Sequence, residues 1–321
     1  MLRMVIATVA ALASSLAIAQ QWTPSQPVRF IVPQVAGGGA DAIGRSIAHG
    51  IAERLGHNII VDNRPGANGG VGAEALIRAP ADGHSLLLVF TSLMALNPAV
   101  YEKTPYDPIK DFAVVGAVCQ VPLVMMGSLS VPGSNAAEMV AAARKNPNLV
   151  FAASSGNGAF SHLLVEMLNS KAGLKLTHVP FKGEAPAVTH LLGNQGPVIY
   201  MGTPALAISN IRAGKLKGLG VTTAKRMEQL PDVPTLAEQG VGDFDESFWY
   251  GVAMAAATPA HIVKTYERHL TEATRSEAMM NAVGKSGCTP FPLDAAAFAQ
   301  RVKTDLAKYS AIAKAVGMKV D

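Results

Sequence analysis

The sequence has few charged and few aromatic side chains. Of its 321 residues, 16% are charged and 6% aromatic, whereas 49% are hydrophobic. A chain of this length and apolar content buries a sizeable core, which excludes a disordered protein. The net charge is only +4, and the basic residues do not form a run. Nucleic acid is therefore not expected as a partner, although a mild positive bias suits small anions.

Cysteine is scarce as well. Cys119 and Cys288 are the only two, and neither has a neighbouring cysteine or histidine at the spacing of a metal site. No metal is therefore expected. An oxidising compartment permits a disulfide between them, but two buried free thiols fit the sequence at least as well.

Long apolar runs are missing outside the N-terminus. Residues 1–19 have the pattern of a secretory signal peptide, with Arg3, an apolar stretch and a cleavage motif that ends at Ala19. That stretch is too short to span a bilayer comfortably, and no later one comes close. We therefore expect the mature chain to start at Gln20 and to reside outside the cytoplasm.

Strand and helix patterns alternate along most of the chain, which predicts an α/β fold with mixed, mostly parallel sheets. A first series begins with a strand over residues 27–32 and a helix over residues 41–55. A second series runs from about residue 134 to residue 223, and helices dominate residues 259–316. Two series with a helical tail predict two lobes, lobe 1 from residues 20–124 and 247–321 and lobe 2 from residues 125–246.

The stretch "IVPQVAGGGAD" (residues 31–41) joins the first strand to the first helix. Its glycines make backbone N–H groups available to an anion. Gly37, Gly39 and Ala42 match the spacing of a dinucleotide fingerprint, and Asp62 follows about twenty residues later. An NAD-dependent dehydrogenase is one alternative, but four residues separate the strand from the glycines, where the fingerprint normally turns at once.

A second glycine loop, residues 154–158, also joins a strand to a helix. Ser155 and His162 are close in sequence, so a secreted hydrolase is another alternative, although no acidic residue stands nearby to orient the histidine. Two such loops on separate lobes can also face each other across a cleft. Each then presents hydroxyls, N–H groups and a helix N-terminus to a carboxylate.

Ordered motifs along nearly the whole chain carry a resemblance to a known family. They include "QPVRFIVPQVAGGGAD", "VDNRPGANGGVGAE", "HVPFKGEAPAVTHLLGNQ" and "LPDVPTLAEQG". With these motifs the chain resembles the extracytoplasmic solute receptors of tripartite tricarboxylate transporters, also called Bug proteins. The resemblance implies a type II periplasmic binding protein fold, in which two lobes joined by two crossovers hold the ligand between them.

The resemblance also implies the function and the site. Such a receptor is not an enzyme and uses no cofactor; it captures a small carboxylate and delivers it to a membrane permease, and we expect it to act as a monomer. The implied ligand-binding residues are Val35, Ala36, Gly38, Gly39, Asp41, Ser92, Ser155, Asn157, Phe160, His162, Phe181, Gly202 and Thr203. Asp41 alternatively caps its helix, His162 alternatively serves the local backbone, and Lys182 either pairs with a distal carboxylate or is solvated.

The sequence departs from the family pattern after the strand over residues 197–201. Relatives commonly carry an aspartate there, whereas this chain has Gly202-Thr203-Pro204. We therefore expect no acidic partner for a ligand amine or hydroxyl. Phe160 and Phe181 replace residues that are often smaller or tyrosine, and two aromatic rings near a cleft can stack on a ring. Aromatic mono- or dicarboxylates are thus favoured over aliphatic di- and tricarboxylates.

Overall fold

The computed structural model describes residues 22–320. The predicted signal peptide and its cleavage site lie outside these residues. Within them, every helix is too short or too polar to cross a membrane.

Residues 22–320 form eleven strands, ten helices and two short helical turns. The strands are β1 (Val28–Val32), β2 (Ile59–Asn63), β3 (Ser85–Phe90), β4 (Phe112–Pro122), β5 (Val124–Gly127), β6 (Phe151–Ser154), β7 (Thr177–Pro180), β8 (Val198–Gly202), β9 (Lys217–Val221), β10 (Ser247–Ala255) and β11 (Thr289–Leu293). The helices are α1 (Gly39–Leu55), α2 (Gly70–Ile77), α3 (Asn97–Val100), α4 (Ala136–Lys145), α5 (Phe160–Ala172), α6 (Glu184–Leu192), α7 (Pro204–Arg212), α8 (Ala260–Thr274), α9 (Glu277–Gly284) and α10 (Ala295–Val316), and the turns are Ala67–Gly69 and Ser92–Leu96.

The strands assemble into two separate sheets. The first has the order β11-β4-β10-β3-β1-β2, and the second has the order β7-β6-β8-β5-β9. Parallel pairs join β1 to β2 and β3, and β6 to β7 and β8, whereas β10 and β5 run antiparallel to their neighbours. The prediction of a two-lobe α/β fold with mixed sheets is therefore confirmed. The sheets are not mostly parallel, however, since five of the nine strand pairs are antiparallel.

Helix α1 shows how the sequence positions the first lobe. Ile43, Ile47, Ile51 and Leu55 recur every four residues and are all buried, so they form the stripe that packs α1 onto the sheet. Gly56 ends the helix at φ 71°, a left-handed conformation that glycine adopts without steric cost. The packed helix holds its N-terminus next to the loop that leaves β1.

The chain passes between the sheets twice, and the two crossovers are hydrogen-bonded to each other. Leu123 separates β4 from β5, and residues 222–246 lead from β9 back to β10. The fully buried Thr222 connects them, because its N–H donates to the Leu123 carbonyl (3.0 Å) and its hydroxyl to the Glu246 carbonyl (2.7 Å). The lobe limits given above stay a prediction.

A disulfide joins Cys119 of β4 to Cys288, which immediately precedes β11, with 5.7 Å between the two Cα atoms. Two free thiols were the alternative that the sequence allowed, and the structure shows the disulfide instead. It closes a loop between residues 169 positions apart. That loop contains the whole second sheet and both crossovers.

Candidate ligand-binding cavity between the two sheets

A cavity of about 200 Å³ lies between the two sheets. Loops that follow β1, β3, β6 and β8 contribute to it, as do β10 and the crossover at Leu123. In α/β sheets, ligands bind outside the carboxyl ends of parallel strands, and most of these loops lie there. The lining residues are Gln34, Asn68, Phe90, Ser92, Val121, Leu123, Ser155, Ala159, Phe160, Ser161, Glu184, Tyr200, Met201, Gly202, Thr203, Phe248 and Tyr250.

The cavity brings together five of the residues implied by the resemblance, and they come from the end of β8 and from the segments that follow β3, β6 and β8. These are Ser92, Ser155, Phe160, Gly202 and Thr203. The other eight implied residues lie outside its lining, and their role in binding stays a prediction: Val35, Ala36, Gly38, Gly39, Asp41, Asn157, His162 and Phe181.

The first glycine loop contributes only Gln34 to the lining. Its acidic residue, Asp41, forms hydrogen bonds within the protein instead. Asp41 is 3% exposed. Its carboxylate accepts hydrogen bonds from the Gly37 N–H (2.9 Å), the Asn63 amide (2.8 Å) and the Arg45 guanidinium (2.9 Å). Burial raises the pKa of Asp41, but these three donors outweigh it and hold the pKa below its usual value. Asp41 therefore shapes the loop, and the helix N-cap is Gly38, not Asp41.

The second glycine loop presents hydroxyl groups to the cavity. Ser155 and Ser161 both line it, and their Oγ atoms are 3.0 Å apart. The Ser155 N–H donates to Ser161 Oγ (2.9 Å), which holds the loop against the first turn of α5. One hydroxyl donates to the other in this contact, which leaves the second hydroxyl's O–H to donate to a carboxylate.

His162 stands behind this loop. Its Nδ1 accepts a hydrogen bond from the Gly158 N–H (3.2 Å), and its ring stacks on that of His178 with 3.8 Å between centroids. Burial, together with the neighbouring His178, lowers the pKa of His162 to about 4. Of the two roles expected for His162, the structure shows the one that serves the local backbone.

The serine and histidine of the hydrolase alternative are not paired. Ser155 Oγ contacts Ser161 and His162 Nδ1 binds the backbone, so neither activates the other. Behind this loop Ser154 pairs with His178 (2.6 Å), and Ser154 is fully buried. A nucleophile must reach its substrate, which a buried hydroxyl does not.

Phe160 and Phe181 occupy different environments. Phe160 lines the cavity at 5% exposure and packs edge-to-face on Phe248 (5.7 Å) and Tyr309 (5.8 Å). Phe181 lies outside the lining and packs on His190, with 5.1 Å between ring centroids. Only Phe160 is thus placed to contact a ligand in this cavity.

Sequence reasoning missed a cluster of rings on the cavity wall. Phe90 stacks on Phe248 (5.6 Å), and Phe248 contacts Tyr250 (5.2 Å). Phe248 and Tyr250 are two residues apart on β10, which places their side chains on the same face of the sheet. In a strand over residues 247–255, the spacing of Phe248 and Tyr250 predicts that both rings lie on one face.

Glu184 corrects the expectation that no acidic side chain faces the ligand. The residues at 202–204 lack the family's aspartate, but the carboxylate of Glu184 lines the cavity at the same place. It accepts hydrogen bonds from the Thr203 N–H (2.5 Å) and from the Thr203 hydroxyl (3.0 Å). A side chain on Gly202 would collide with it, since an added Cβ would lie 2.5 Å from Glu184 Oε1 and 2.3 Å from Tyr200 Cε1.

Two α/β lobes, two crossovers and an intervening cavity define the class of periplasmic solute-binding proteins. Comparison with known proteins identifies the family. The model of TctC, the tripartite tricarboxylate transporter family receptor, matches residues 43–318. The chain belongs to this family.

Individual relatives agree with this assignment. The chain is 33% identical over 302 residues to the "UPF0065 protein in the TAR-I ttuE-ttuC' intergenic region" of Agrobacterium vitis, which covers 93% of this chain and 87% of that protein. The structure of the periplasmic binding protein BugD matches at a TM-score of 0.77 and 30% identity, over 92% of this chain and 99% of BugD. The structure of R. palustris Rpa4515 with adipate matches at a TM-score of 0.80 and 29% identity, over 92% of this chain and 99% of Rpa4515.

The family consists of periplasmic binding receptors, so this chain is not an enzyme. The dehydrogenase and hydrolase alternatives are therefore wrong. Asp62, which matched the acidic residue of a dinucleotide site, instead accepts two hydrogen bonds of 3.0 Å from Arg64. The glycine spacing at residues 37–42 reflects a tight turn into α1.

Proposed function

We propose that this chain captures a small carboxylate in the cavity between its two sheets and delivers it to the membrane permease of a tripartite tricarboxylate transporter. The observation that carries the proposal is the cavity between the two sheets, which Ser92, Ser155 and Ser161 line. Neutral donors can bind a carboxylate without an arginine, and a low local dielectric strengthens such hydrogen bonds. The relative Rpa4515 was solved with adipate, a small carboxylate.

We further propose that a ligand with a ring is favoured over citrate-like acids. Phe90, Phe160 and Phe248 form connected ring contacts on one wall of the cavity. Aromatic pairs in offset or edge-to-face arrangements add about 0.5–1.5 kcal/mol beyond the area they bury. A flat ring therefore gains contacts here that an aliphatic tricarboxylate does not.

A thermal-shift screen tests the carboxylate proposal. A ligand that binds only the folded protein, at a hundred times its dissociation constant, stabilises it by about 2.7 kcal/mol. The panel pairs each aromatic or aliphatic acid with its neutral amide, for example benzoate with benzamide, and includes NADH. We expect an acid to raise the melting temperature while its amide does not. A response to NADH alone would contradict the proposal.

The two phenylalanines give a matched pair of variants for the preference for rings. Phe160→Leu removes a ring from the cavity, whereas Phe181→Leu removes one that packs on His190 outside it. We expect Phe160→Leu to weaken aromatic acids about tenfold more than aliphatic ones, and Phe181→Leu to leave the ratio unchanged. Equal losses for both ligand classes in Phe160→Leu would refute stacking.

Delivery requires that ligand binding changes the shape of the receptor. We propose that the lobes close by a hinge at the crossovers, where Thr222 links Leu123 to Glu246. Small-angle scattering should show a smaller radius of gyration when the ligand is bound, at the mass of a monomer. An unchanged radius at saturating ligand, or a dimer mass, would contradict this part of the proposal.

We propose further that the mature protein begins at Gln20, after cleavage behind Ala19, and that its permease recognises the closed form. N-terminal sequencing of protein secreted to the periplasm tests the cleavage. Co-purification of the tagged receptor with its permease should depend on added ligand. Equal recovery of the permease without ligand would contradict recognition of the closed form.

A further inference from the structure

The cavity contains one acidic side chain and no basic one. Among residues 22–320, those that line it include Glu184 but no lysine, arginine or histidine. Lys182, two positions away, is exposed and outside the lining. A ligand with two carboxylates would place one negative charge against Glu184, without a cation between them. Such a contact between like charges in a desolvated site is unfavourable.

The carboxylate of Glu184 is fixed in position. Gly183 precedes it at φ 111°, a conformation that favours glycine, and turns the chain from β7 into α6. Thr203 then holds both oxygens, Oε1 through its N–H and Oε2 through its hydroxyl. Each carboxylate oxygen has more than one lone-pair direction, so each can accept a second hydrogen bond from a ligand.

Two tyrosines line the cavity together with this carboxylate, Tyr200 and Tyr250. The Tyr200 ring and Glu184 Oε1 converge on Gly202, as the clash distances of an added Cβ show. Burial first, and then the charge of Glu184, raises the pKa of both tyrosines. Burial likewise raises the pKa of Glu184 itself. An anion that is desolvated and lacks a cation gains most from a ligand that brings one.

Rings and a carboxylate together are the groups that recognise an ammonium ion. Aromatic faces attract a cation within about 6 Å of the ring centroid, and the carboxylate accepts its N–H bonds as charge-assisted hydrogen bonds. We propose that Glu184 selects ligands that carry a protonated nitrogen at the end remote from their carboxylate, so the substrate class is an amino acid-like zwitterion. This inference rests on the proposed function, since the serine hydroxyls hold the carboxylate end.

Two ligand series test the inference, and in each series only the terminal group changes. The first consists of 6-aminohexanoate, 6-hydroxyhexanoate and adipate, and the second of 4-(aminomethyl)benzoate, 4-(hydroxymethyl)benzoate and terephthalate. Calorimetry on the mature chain at pH 7 should give the tightest binding for an amine, at least about tenfold over the dicarboxylate of its series. Preference for the hydroxyl or for the dicarboxylate in both series would overturn the inference.

Glu184→Gln separates selection from a purely structural role. The glutamine keeps an acceptor for the Thr203 N–H but removes the charge, so we expect it to lose about tenfold in amine affinity and to gain in dicarboxylate affinity. Glu53→Gln is the matched control, because it removes the same charge from an exposed glutamate outside the lining, and it should keep the wild-type order. An equal loss for all three terminal groups in Glu184→Gln would mean that the residue only supports the fold.

The same experiment distinguishes failure of this inference from failure of the proposed function. If dicarboxylates bind the wild-type chain and amines do not, the proposed carboxylate receptor is supported and the proposed role of Glu184 is refuted. If no member of either series binds, and no acid of the thermal-shift panel raises the melting temperature, both the proposed function and this inference are refuted.

Discussion

Replacing Asp41 with alanine should destabilise the protein by about 3 kcal/mol. The carboxylate accepts hydrogen bonds from Gly37, Asn63 and Arg45. A hydrogen bond to a charged group contributes about 1.5–3 kcal/mol, and the Gly37 and Asn63 donors would both lose theirs. Arg45 is 53% exposed, so its ion pair adds little. Two bonds at the lower end of the range give the stated magnitude.

Urea unfolding at pH 7, followed by circular dichroism, measures this loss. Asp41→Asn keeps one acceptor and should lose about half as much as Asp41→Ala, whereas Arg45→Ala should change the free energy of unfolding by less than about 1 kcal/mol. A loss below about 0.5 kcal/mol for Asp41→Ala would refute the structural role.

The pH dependence of stability gives an independent check on Asp41. Its pKa in the folded state lies below the ordinary value of 3.8. Its contribution is therefore present above pH 3.8 and is lost as the pH falls through the lowered folded-state pKa. Asp41→Asn should remove this part of the acid dependence. If Asp41→Asn instead keeps full stability but loses carboxylate affinity, the residue acts on the ligand.

Three further perturbations follow from the fold and the cavity. The Cys119–Cys288 bridge spans 169 positions, so a double Cys→Ser variant should lose up to about 5 kcal/mol in urea unfolding, and an unchanged midpoint would contradict the bridge. Because the pKa of His162 is lowered from 6.5 to about 4, stability should fall as the pH drops from 6.5 towards 4, and His162 should contribute at most about 3 kcal/mol to this fall. His162→Gln should reduce the slope without abolishing it, since the pKa values of His178 and His269 are lowered as well. Gly202→Ala should weaken ligand binding about tenfold or more, because its Cβ would lie 2.3 Å from a tyrosine ring carbon. Gly196→Ala should leave the affinity unchanged, because an added Cβ there would have no atom within 4 Å. Equal affinities for the two variants would refute the close approach at Gly202.

Most of the regular structure follows from local patterns. The strand predicted over residues 27–32 is Val28–Val32, and the helix predicted over residues 41–55 is Gly39–Leu55, because proline or glycine flanks each apolar pattern. The strand Thr289–Leu293 was not predicted. Its sequence, TPFPL, contains two prolines, which favour a loop, and they are tolerated because β11 is at the edge of its sheet.

Part of the site was also predictable from local patterns in the sequence. Ser92, Ser155 and Thr203 each follow a strand, and the ends of parallel strands meet at one edge. Glu184 could not be found in this way, since its place in the cavity depends on packing between the start of α6 and Thr203, 19 positions further on. Phe181 and His162 lie outside the lining, because proximity in sequence to a binding loop does not fix which way a side chain points.

The central claim is that the cavity between the sheets binds a small carboxylate, and calorimetry of wild type and one cavity variant tests it most directly. We expect one-to-one binding of an acid to the mature chain, and a loss of about tenfold for Ser155→Ala, which removes a cavity hydroxyl. Ser209→Ala, an exposed serine outside the lining, should keep wild-type affinity. Binding that is unchanged in Ser155→Ala would place the ligand elsewhere and contradict the account.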